Sequence, residues 1–394
     1  MQVAGFQAAA VQAGIRYQGR LDLGLIVAEG PATVAGVFTT NLVKAAPVLL
    51  GQERVAKGQA QAILVNSGCA NACTGTAGMA AARAAAAAVA RSLGIAEELV
   101  LPCSTGVIGE PLPVERIEAA VPDLVRDLAA DGLPAVARAM MTTDTRPKTA
   151  SRTGLVAGRP VTVAGLAKGA GMIMPNMATM LSFLLTDAAL EATALQEALR
   201  QAVAESFNAI TIDGDTSTND TVLLLASGRA GHPPLTPADR DGPAAFTALL
   251  SDLCQDLAGQ IVADGEGVTK EVTIRVRGAR TRQEAEQAGR TIANSALVKT
   301  AFFGADANWG RILAAAGRSG AWLDPRRVAI AIDGVLLVRD GLAVGQEAEA
   351  AATAILKGRS FTVTVDLGAG PAEFAIRTCD LSIDYVKINA DYRS

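Results

Sequence analysis

The feature that most constrains the fold is the alternation of short apolar runs with alanine-rich segments along almost all of the 394 residues. Runs at 22–27, 33–39 and 63–66 have the length and character of strands, whereas the nearly pure alanine segment 79–90 favours a helix. The chain is therefore expected to alternate strands and helices throughout. The remaining strand predictions are 180–186, 221–225, 272–276, 328–338, 362–366, 374–377 and the strand-like stretch 384–388.

Local turn and capping signals indicate the type of sheet and the start of two helices. Asp333-Gly334 interrupts the run 328–338 and predicts a two-residue hairpin, so the sheet contains antiparallel pairs. A helix is predicted from Asp241 to about residue 263. A capping box at 281–284 predicts a second helix that runs to about residue 300. The expected fold class is α+β, with helices packed in layers on sheets.

Composition argues against several classes of partner. Hydrophobic residues make up 50% of the chain and aromatic residues only 4%, so a large core can form mainly from Ala, Val, Leu and Ile. The net charge is −4 and no basic patch is apparent, which argues against a nucleic acid or an anionic membrane surface. The apolar stretch 172–185 is broken by Pro175 and falls short of the ~20 residues of a membrane span. We expect a soluble, cytoplasmic protein without a secretory signal.

The numbers and positions of cysteine and histidine limit the kinds of metal site and catalytic base that the chain can contain. The five cysteines are an odd, scattered number, which predicts free buried thiols in a reducing compartment. The only histidine, His232, precedes two prolines, so neither a zinc site nor a histidine-based catalytic pair is expected. The aspartates at 213, 215 and 220 do not match a calcium loop, because Leu224 stands where that loop has glutamate. A nucleophile would need another base: a lysine, a carboxylate or the α-amine of an N-terminal threonine.

One segment has the composition of a self-processing site. It reads Lys168-Gly-Ala-Gly-Met-Ile-Met-Pro-Asn-Met-Ala-Thr-Met-Leu181 and leads directly into the predicted strand 180–186. Its glycines allow unusual backbone angles and its proline fixes one, so Thr179 follows a constrained loop. On the residues alone, the plainer interpretation is favoured, in which Thr179 is a β-branched residue entering a core strand.

This segment closely resembles the processing site of the ornithine acetyltransferase family, the glutamate N-acetyltransferases of arginine biosynthesis. Ordered matches to the family extend over nearly the whole chain. They are Cys103-Ser-Thr-Gly-Val-Ile-Gly109, Met141-Thr-Thr-Asp-Thr145, Thr211-Ile-Asp-Gly-Asp-Thr216, Asp264-Gly-Glu-Gly267, Lys299-Thr-Ala-Phe-Phe-Gly304, Asn308-Trp-Gly-Arg311 and Asn389-Ala-Asp-Tyr-Arg-Ser394.

The resemblance implies a catalytic mechanism that needs no histidine. The chain would cut itself between Ala178 and Thr179, and the new N-terminal Thr179 would be the nucleophile, with its own α-amine as base. Thr105 and Gly106 would form the oxyanion hole, although a Ser-Thr-Gly turn is equally compatible with an ordinary strand end. Acetyl would pass from N-acetylornithine to Thr179 and then to glutamate in a ping-pong cycle, without a metal or an organic cofactor.

The resemblance also implies the residues that bind the amino acid. Lys168 is suited to an α-carboxylate and Glu266 to the ornithine ammonium, although both residue types are more often simply solvated. The further substrate-binding residues implied by the family are Thr145, Thr179, Asn389 and Ser394.

The family fold is a layered α-β-β-α sandwich resembling the N-terminal nucleophile enzymes. An alpha chain, residues 1–178, and a beta chain, residues 179–394, would form one intertwined unit, and two of each would form a heterotetramer. The sequence leaves open whether acetyl-CoA is a second donor. Three alternatives also remain: an autoprocessed amidohydrolase or aminopeptidase, a paralogue that acts on another basic amino acid, and a non-catalytic binding protein.

Overall fold

The computed structural model describes residues 1–174 and 180–391. Contacts divide the chain into two compact units, each containing both helices and strands. Within the described residues, the first comprises Met1–Asn208 and Asp215–Ile261, and the second comprises Ala209–Gly214 and residues 262–391. This division does not coincide with the predicted cleavage point, because the first unit contains strands from both sides of it.

The first unit contains an eight-stranded sheet. Its strands are β1 (Phe6–Val11), β2 (Leu23–Phe38), β3 (Gln59–Cys69), β4 (Val100–Val107), β5 (Lys148–Val156), β6 (Arg159–Lys168), β7 (Leu181–Thr186) and β8 (Thr221–Ala226). The order is β4-β3-β2-β8-β7-β6-β5, and β1 pairs with β2. The pairs β3–β4 and β7–β8 are parallel, and the others are antiparallel.

Helices cover both faces of this sheet. They are α1 (Ala46–Val55), α2 (Gly75–Leu93), α3 (Val114–Arg126), α4 (Leu133–Ala139), α5 (Ala192–Ala204) and α6 (Asp241–Ala263). Because successive strand residues point to opposite faces, β3 contributes to two cores. Leu64 packs with residues of α2 and α3, and its neighbours Ile63 and Val65 pack with residues of α4.

The second unit contains a six-stranded sheet with the order β12-β11-β10-β13-β9-β14. Its elements are β9 (Glu271–Ala279), α7 (Arg282–Ala293), α8 (Ala296–Phe303), α9 (Trp309–Gly317), β10 (Ala329–Ile332), β11 (Val335–Arg339), β12 (Leu342–Ala343), α10 (Gln346–Leu356), β13 (Ser360–Asp366), β14 (Ala372–Cys379) and α11 (Ile383–Asp391). Alternate residues of β13, namely Phe361, Val363 and Val365, lie in the core that the sheet shares with α7–α10. The strand residues between them are half-buried or exposed.

Several predictions are confirmed. The chain is α+β, and Asp333-Gly334 joins the antiparallel strands β10 and β11 with left-handed φ values of 42° and 85°. The predicted helix from Asp241 is α6. Thr281 caps α7 by accepting a hydrogen bond from the Glu284 amide at 3.2 Å. No helix in the described ranges is long and apolar enough to cross a membrane.

Three element predictions were wrong in extent or type. The runs 22–27 and 33–39 belong to one strand, β2. The helix predicted from the capping box to about residue 300 is interrupted at Asn294-Ser295, polar residues that bond backbone or neighbouring groups and favour helix ends. The stretch 384–388 is helical, within α11, because the Ser382 hydroxyl accepts the Tyr385 amide at 3.2 Å and caps that turn.

Candidate active site

The predicted site residues lie at the ends of elements or in loops. In the first unit, Thr105 and Gly106 lie near the C-terminal end of β4, Lys168 is the last residue of β6, and Thr145 is exposed in the loop before β5. In the second unit, Glu266 follows α6 and Asn389 lies in α11. Ala178, Thr179 and Ser394 lie outside the described residues.

Gly106 occupies a position that only glycine fits. Its φ is 132°, and a Cβ there would lie 2.3 Å from the carbonyl carbon of Gly68 on the adjacent strand. The β3–β4 pairing shifts register at this point, between Gly68 and Cys69. The close approach of the two strands therefore fixes the backbone beside Thr105, which is itself buried.

Lys168 is a buried lysine that contacts Thr105. Its side chain is 4% exposed, and its Nζ donates to the Thr142 hydroxyl at 2.8 Å and to the Thr105 hydroxyl at 3.3 Å. Two residues that the family resemblance selected, 63 positions apart in the chain, are thus in contact. Because a buried ammonium requires hydrogen-bond acceptors, these two hydroxyls help to offset its desolvation.

Asp144, which the sequence did not single out, organises this region. Its Oδ1 accepts hydrogen bonds from Lys148 Nζ at 2.6 Å and from the Gly169 amide at 2.7 Å. Its Oδ2 accepts the Thr142 amide at 3.0 Å and lies 3.8 Å from Lys168 Nζ. Burial raises the pKa of Asp144, but the two ammonium groups and the Gly169 amide outweigh burial and lower it to about 2. The carboxylate therefore stays ionised and fixes Gly169, the second residue of the processing segment.

Asp220 fixes the chain immediately after Thr179. It is fully buried, and its Oδ1 accepts the amide of Met180 at 2.9 Å. The Met180 carbonyl accepts the amide of Thr221 at 3.1 Å, so the start of β7 is held at both its donor and its acceptor. Oδ2 is buried and has no hydrogen-bond partner among the described residues. Burial raises the pKa of Asp220 well above its ordinary value.

Asn219 joins the same region to the Thr105 strand. Its Nδ2 donates to the carbonyl of Ser104 at 2.8 Å and to the carbonyl of Ala70 at 2.7 Å. The Ser104 hydroxyl in turn donates to Asn66 at 2.6 Å. The segment before β8 is therefore anchored to the end of β4 by hydrogen bonds that lie in the interior.

In the second unit, the two predicted site residues are in contact. Asn389 Nδ2 donates to Glu266 Oε2 at 2.8 Å, which joins α11 to the loop after α6. The backbone of this loop is also fixed, because Ser382 donates to the Gly267 carbonyl at 2.6 Å. Gly267 has a φ of 66°, and a Cβ there would lie 2.5 Å from the Tyr385 nitrogen. Glu266 is therefore presented by a loop that requires glycine beside it.

Both ring nitrogens of His232 contact backbone groups. Its Nε2 accepts the amide of Ala189 at 3.3 Å, and its Nδ1 lies 2.8 Å from the Pro233 carbonyl oxygen. A neutral ring protonated on Nδ1 satisfies both contacts. The residue thus joins its own loop to the segment after β7.

The cysteines are all free, but one differs from the prediction. Cys69, Cys103, Cys254 and Cys379 are buried, whereas Cys73 is exposed. Cys73 lies in the turn before α2, where its φ is 59°. Burial raises the pKa of the Cys103 and Cys254 thiols, so both are neutral packing residues.

Comparison with known proteins gives consistent matches. The ArgJ family model matches residues 7–394. The arginine biosynthesis bifunctional proteins ArgJ of Geobacter sulfurreducens and Desulfotalea psychrophila are 54% and 56% identical to this chain, each over 100% of both chains. A crystal structure of the protein of the same name from Bacillus halodurans is 46% identical, covers 54% of this chain and 100% of its own, and has a TM-score of 0.52.

The fold and these matches identify the chain as an α+β acetyltransferase of arginine biosynthesis. Within that class, the chain belongs to the ArgJ family. The family predicted from the motifs is therefore confirmed, and the chain is an enzyme rather than a non-catalytic binding protein.

Proposed function

We propose that this protein transfers the acetyl group of N-acetylornithine to glutamate through an acetyl-Thr179 intermediate. It releases ornithine in the first half-reaction and N-acetylglutamate in the second. The observation that carries the proposal is the contact between Lys168 and Thr105. Lys168 is the last residue of β6 and pairs with Leu181 at the start of β7. Leu181 lies two residues after the proposed nucleophile.

Thr179 becomes the nucleophile when the chain cleaves itself after Ala178. Its hydroxyl attacks the Ala178 carbonyl, and the resulting ester is hydrolysed to leave an N-terminal threonine. The freed α-amine then accepts the hydroxyl proton during acetyl transfer. The fixed position of Met180 supports this role, because Asp220 and Thr221 hold the residue that follows the nucleophile.

The Thr105 hydroxyl and the Gly106 amide stabilise the oxyanion in both reactions. The glycine-specific backbone at 106 supports this assignment, since an oxyanion hole needs donors that are fixed before the reaction begins. Removing one such donor typically costs about a hundredfold or more in rate. Self-cleavage and acetyl transfer both pass through a tetrahedral oxyanion, so one pair of donors can serve both.

Substrate binding is assigned to the residues that the family resemblance selected. Lys168 binds the α-carboxylate, Glu266 binds the side-chain ammonium of ornithine, and Thr145 is a further substrate contact. Asn389 and Ser394 complete the set, together with Thr179. The contact between Asn389 and Glu266 supports a joint role for these two residues.

The alpha chain, residues 1–178, and the beta chain, residues 179–394, remain associated after cleavage. β6 of the first would pair with β7 of the second, and β8 of the second with β2 of the first. Two copies of each chain form a heterotetramer, and the enzyme works in the cytoplasm, where its five free cysteines stay reduced.

Acetyl-CoA is proposed as a second acetyl donor. The relatives from Geobacter sulfurreducens and Desulfotalea psychrophila are named bifunctional proteins. A second donor that acetylates the same Thr179 would need no second nucleophile. Formation of N-acetylglutamate from acetyl-CoA and glutamate, without N-acetylornithine, tests this activity.

Intact-mass measurement and product analysis test the main proposal. Wild-type protein should give two fragments that meet at Thr179, and Thr179→Ala should give one chain. With N-acetylornithine and glutamate, the acetyl group should be recovered as N-acetylglutamate. Recovery mainly as free acetate would instead identify an amidohydrolase, and transfer to other basic amino acids in preference would identify a different substrate class.

A further inference from the structure

The hydrogen bond between Lys168 and Thr105 constrains the direction of the Thr105 hydroxyl proton. An ammonium group can only donate, so the Thr105 oxygen is the acceptor in this 3.3 Å contact. A hydroxyl has a single proton, and that proton must point away from the ammonium. The contact therefore leaves Thr105 ready to donate to a third group.

We propose that Lys168 is a positioning residue for the oxyanion hole, in addition to its role in substrate binding. Its ammonium directs and polarises the Thr105 hydroxyl, which then donates a stronger hydrogen bond to the oxyanion. Charge-assisted hydrogen bonds are roughly twice as strong as neutral ones, and chains of hydrogen bonds polarise one another. This inference rests on the proposed function, because it takes Thr105 as an oxyanion donor.

Asp144 and Thr142 hold Lys168 in the position that this role requires. The Thr142 hydroxyl accepts from Nζ at 2.8 Å, and the Asp144 carboxylate lies 3.8 Å away. Asp144 accepts the amide of Thr142 as well, so the acceptor and the counter-ion of Lys168 are fixed to each other. The ammonium is thereby held in the interior, where its effect on Thr105 is little screened by water.

The rate of self-cleavage distinguishes the positioning role of Lys168 from its role in substrate binding. Cleavage after Ala178 needs the oxyanion hole but no amino-acid substrate. A lysine that only binds the substrate carboxylate would leave the cleavage rate unchanged and would raise KM. A lysine that polarises Thr105 would set both the cleavage rate and kcat.

The charges around Asp144 make Lys168→Met a suitable test variant. One carboxylate faces two ammonium groups, and the variant leaves the fully buried Asp144–Lys148 pair, with N–O distance 2.6 Å, in place. We therefore expect K168M to fold. Lys168→Arg keeps the charge, and Lys57→Met, at an exposed lysine, is the matched control. Should K168M fail to fold, Lys168→Gln provides the same uncharged test.

The experiment measures the rate of self-cleavage for freshly made protein, and then kcat and KM on the cleaved fraction. K168M should cleave at least about tenfold more slowly than wild type, with a comparable loss in kcat, and K168R should restore part of the rate. Wild-type cleavage by K168M, with only KM raised, would overturn the inference. An equal loss in K168M and K168R would also overturn it, since charge would then be irrelevant. Absence of cleavage in the wild type would instead refute the proposed function.

Discussion

At the scale of single residues, Asp144 is a buried member of the site that the sequence did not single out. It joins Lys148, Lys168 and the amide of Gly169. Asp144→Asn would leave two buried ammonium groups without their carboxylate, and we expect it to lower the free energy of unfolding by about 3–5 kcal/mol. Urea denaturation measures this. The matched control is Asp252→Asn, because Asp252 forms an exposed pair with Arg152 and should change stability by less than about 1 kcal/mol.

The same carboxylate predicts an acid-sensitive step in stability. Its pKa falls from 3.8 in the unfolded chain to about 2 in the folded protein. A depressed carboxyl pKa contributes stability that is present above the unfolded value and lost as pH falls through the folded one. The wild type should therefore lose roughly 2 kcal/mol between pH 4 and 2 that Asp144→Asn does not lose. Parallel stability curves for the two proteins over this range would contradict the assignment.

Asp220 predicts the opposite dependence on pH. Burial raises its pKa, so its ionisation destabilises the fold as pH rises above the ordinary carboxyl range. Asp220→Asn keeps an oxygen that can accept the Met180 amide and removes the charge. We expect the stability of this variant to match or exceed that of the wild type at pH 8, and the difference to shrink at pH 4. Asp220→Ala, which loses the acceptor, should be about 1–3 kcal/mol less stable than Asp220→Asn at both pH values.

At the scale of elements, signals that depend on neighbours in the chain predicted structure well. The hairpin at Asp333-Gly334 and the Thr281 cap of α7 both depend on residues within four positions of one another, and both are observed. The pairing of β8 between β2 and β7 could not be predicted, because it depends on core packing between distant segments. The helix α11 was missed because five residues are too few to distinguish a period of two from one of 3.6.

In the candidate site too, individual residues could be predicted from the sequence, but contacts between distant residues could not. Lys168 and Thr105 could be selected by family resemblance, yet their contact depends on the strand order of the sheet. Asp144 lies inside a motif that was recognised, Met141 to Thr145, but nothing local to it reveals that two lysines face it. Asp220 was considered only as a calcium ligand. Its bond to Met180, which it fixes beside the nucleophile, spans 40 positions in the chain.

The last turn of α11 gives a prediction at this scale. Terminal residues usually tolerate deletion, but Asn389 contacts Glu266, so the end of this helix is tied to a predicted substrate residue. Deleting residues 389–394 should leave self-cleavage intact and lower kcat/KM about tenfold to a hundredfold. Lys387→Ala, at an exposed position of the same helix, is the control. Full acetyl transfer by the truncated protein would remove the tail from the site.

At the scale of the whole molecule, the sheet of the first unit contains strands from both sides of the proposed cut. β7 lies between β6 and β8, and β8 pairs with β2. Separating the fragments would break the β6–β7 and β2–β8 pairings. It would also expose the apolar residues of the buried strands β7 and β8. We expect the cleaved protein to elute as one species in native size-exclusion chromatography and to separate only in denaturant. Two native peaks would show that the fragments are independent bodies.

Acetyl transfer through acetyl-Thr179 can be tested by isolating the acetylated fragment. Cleaved enzyme is incubated with N-acetylornithine alone, quenched in acid and analysed by intact mass. We predict one added acetyl group on the fragment that begins at Thr179, no addition on the other fragment, and loss of the addition when glutamate is supplied. Unmodified fragments, in an enzyme that still makes N-acetylglutamate when both substrates are present, would show direct transfer between the substrates without an acetyl-enzyme.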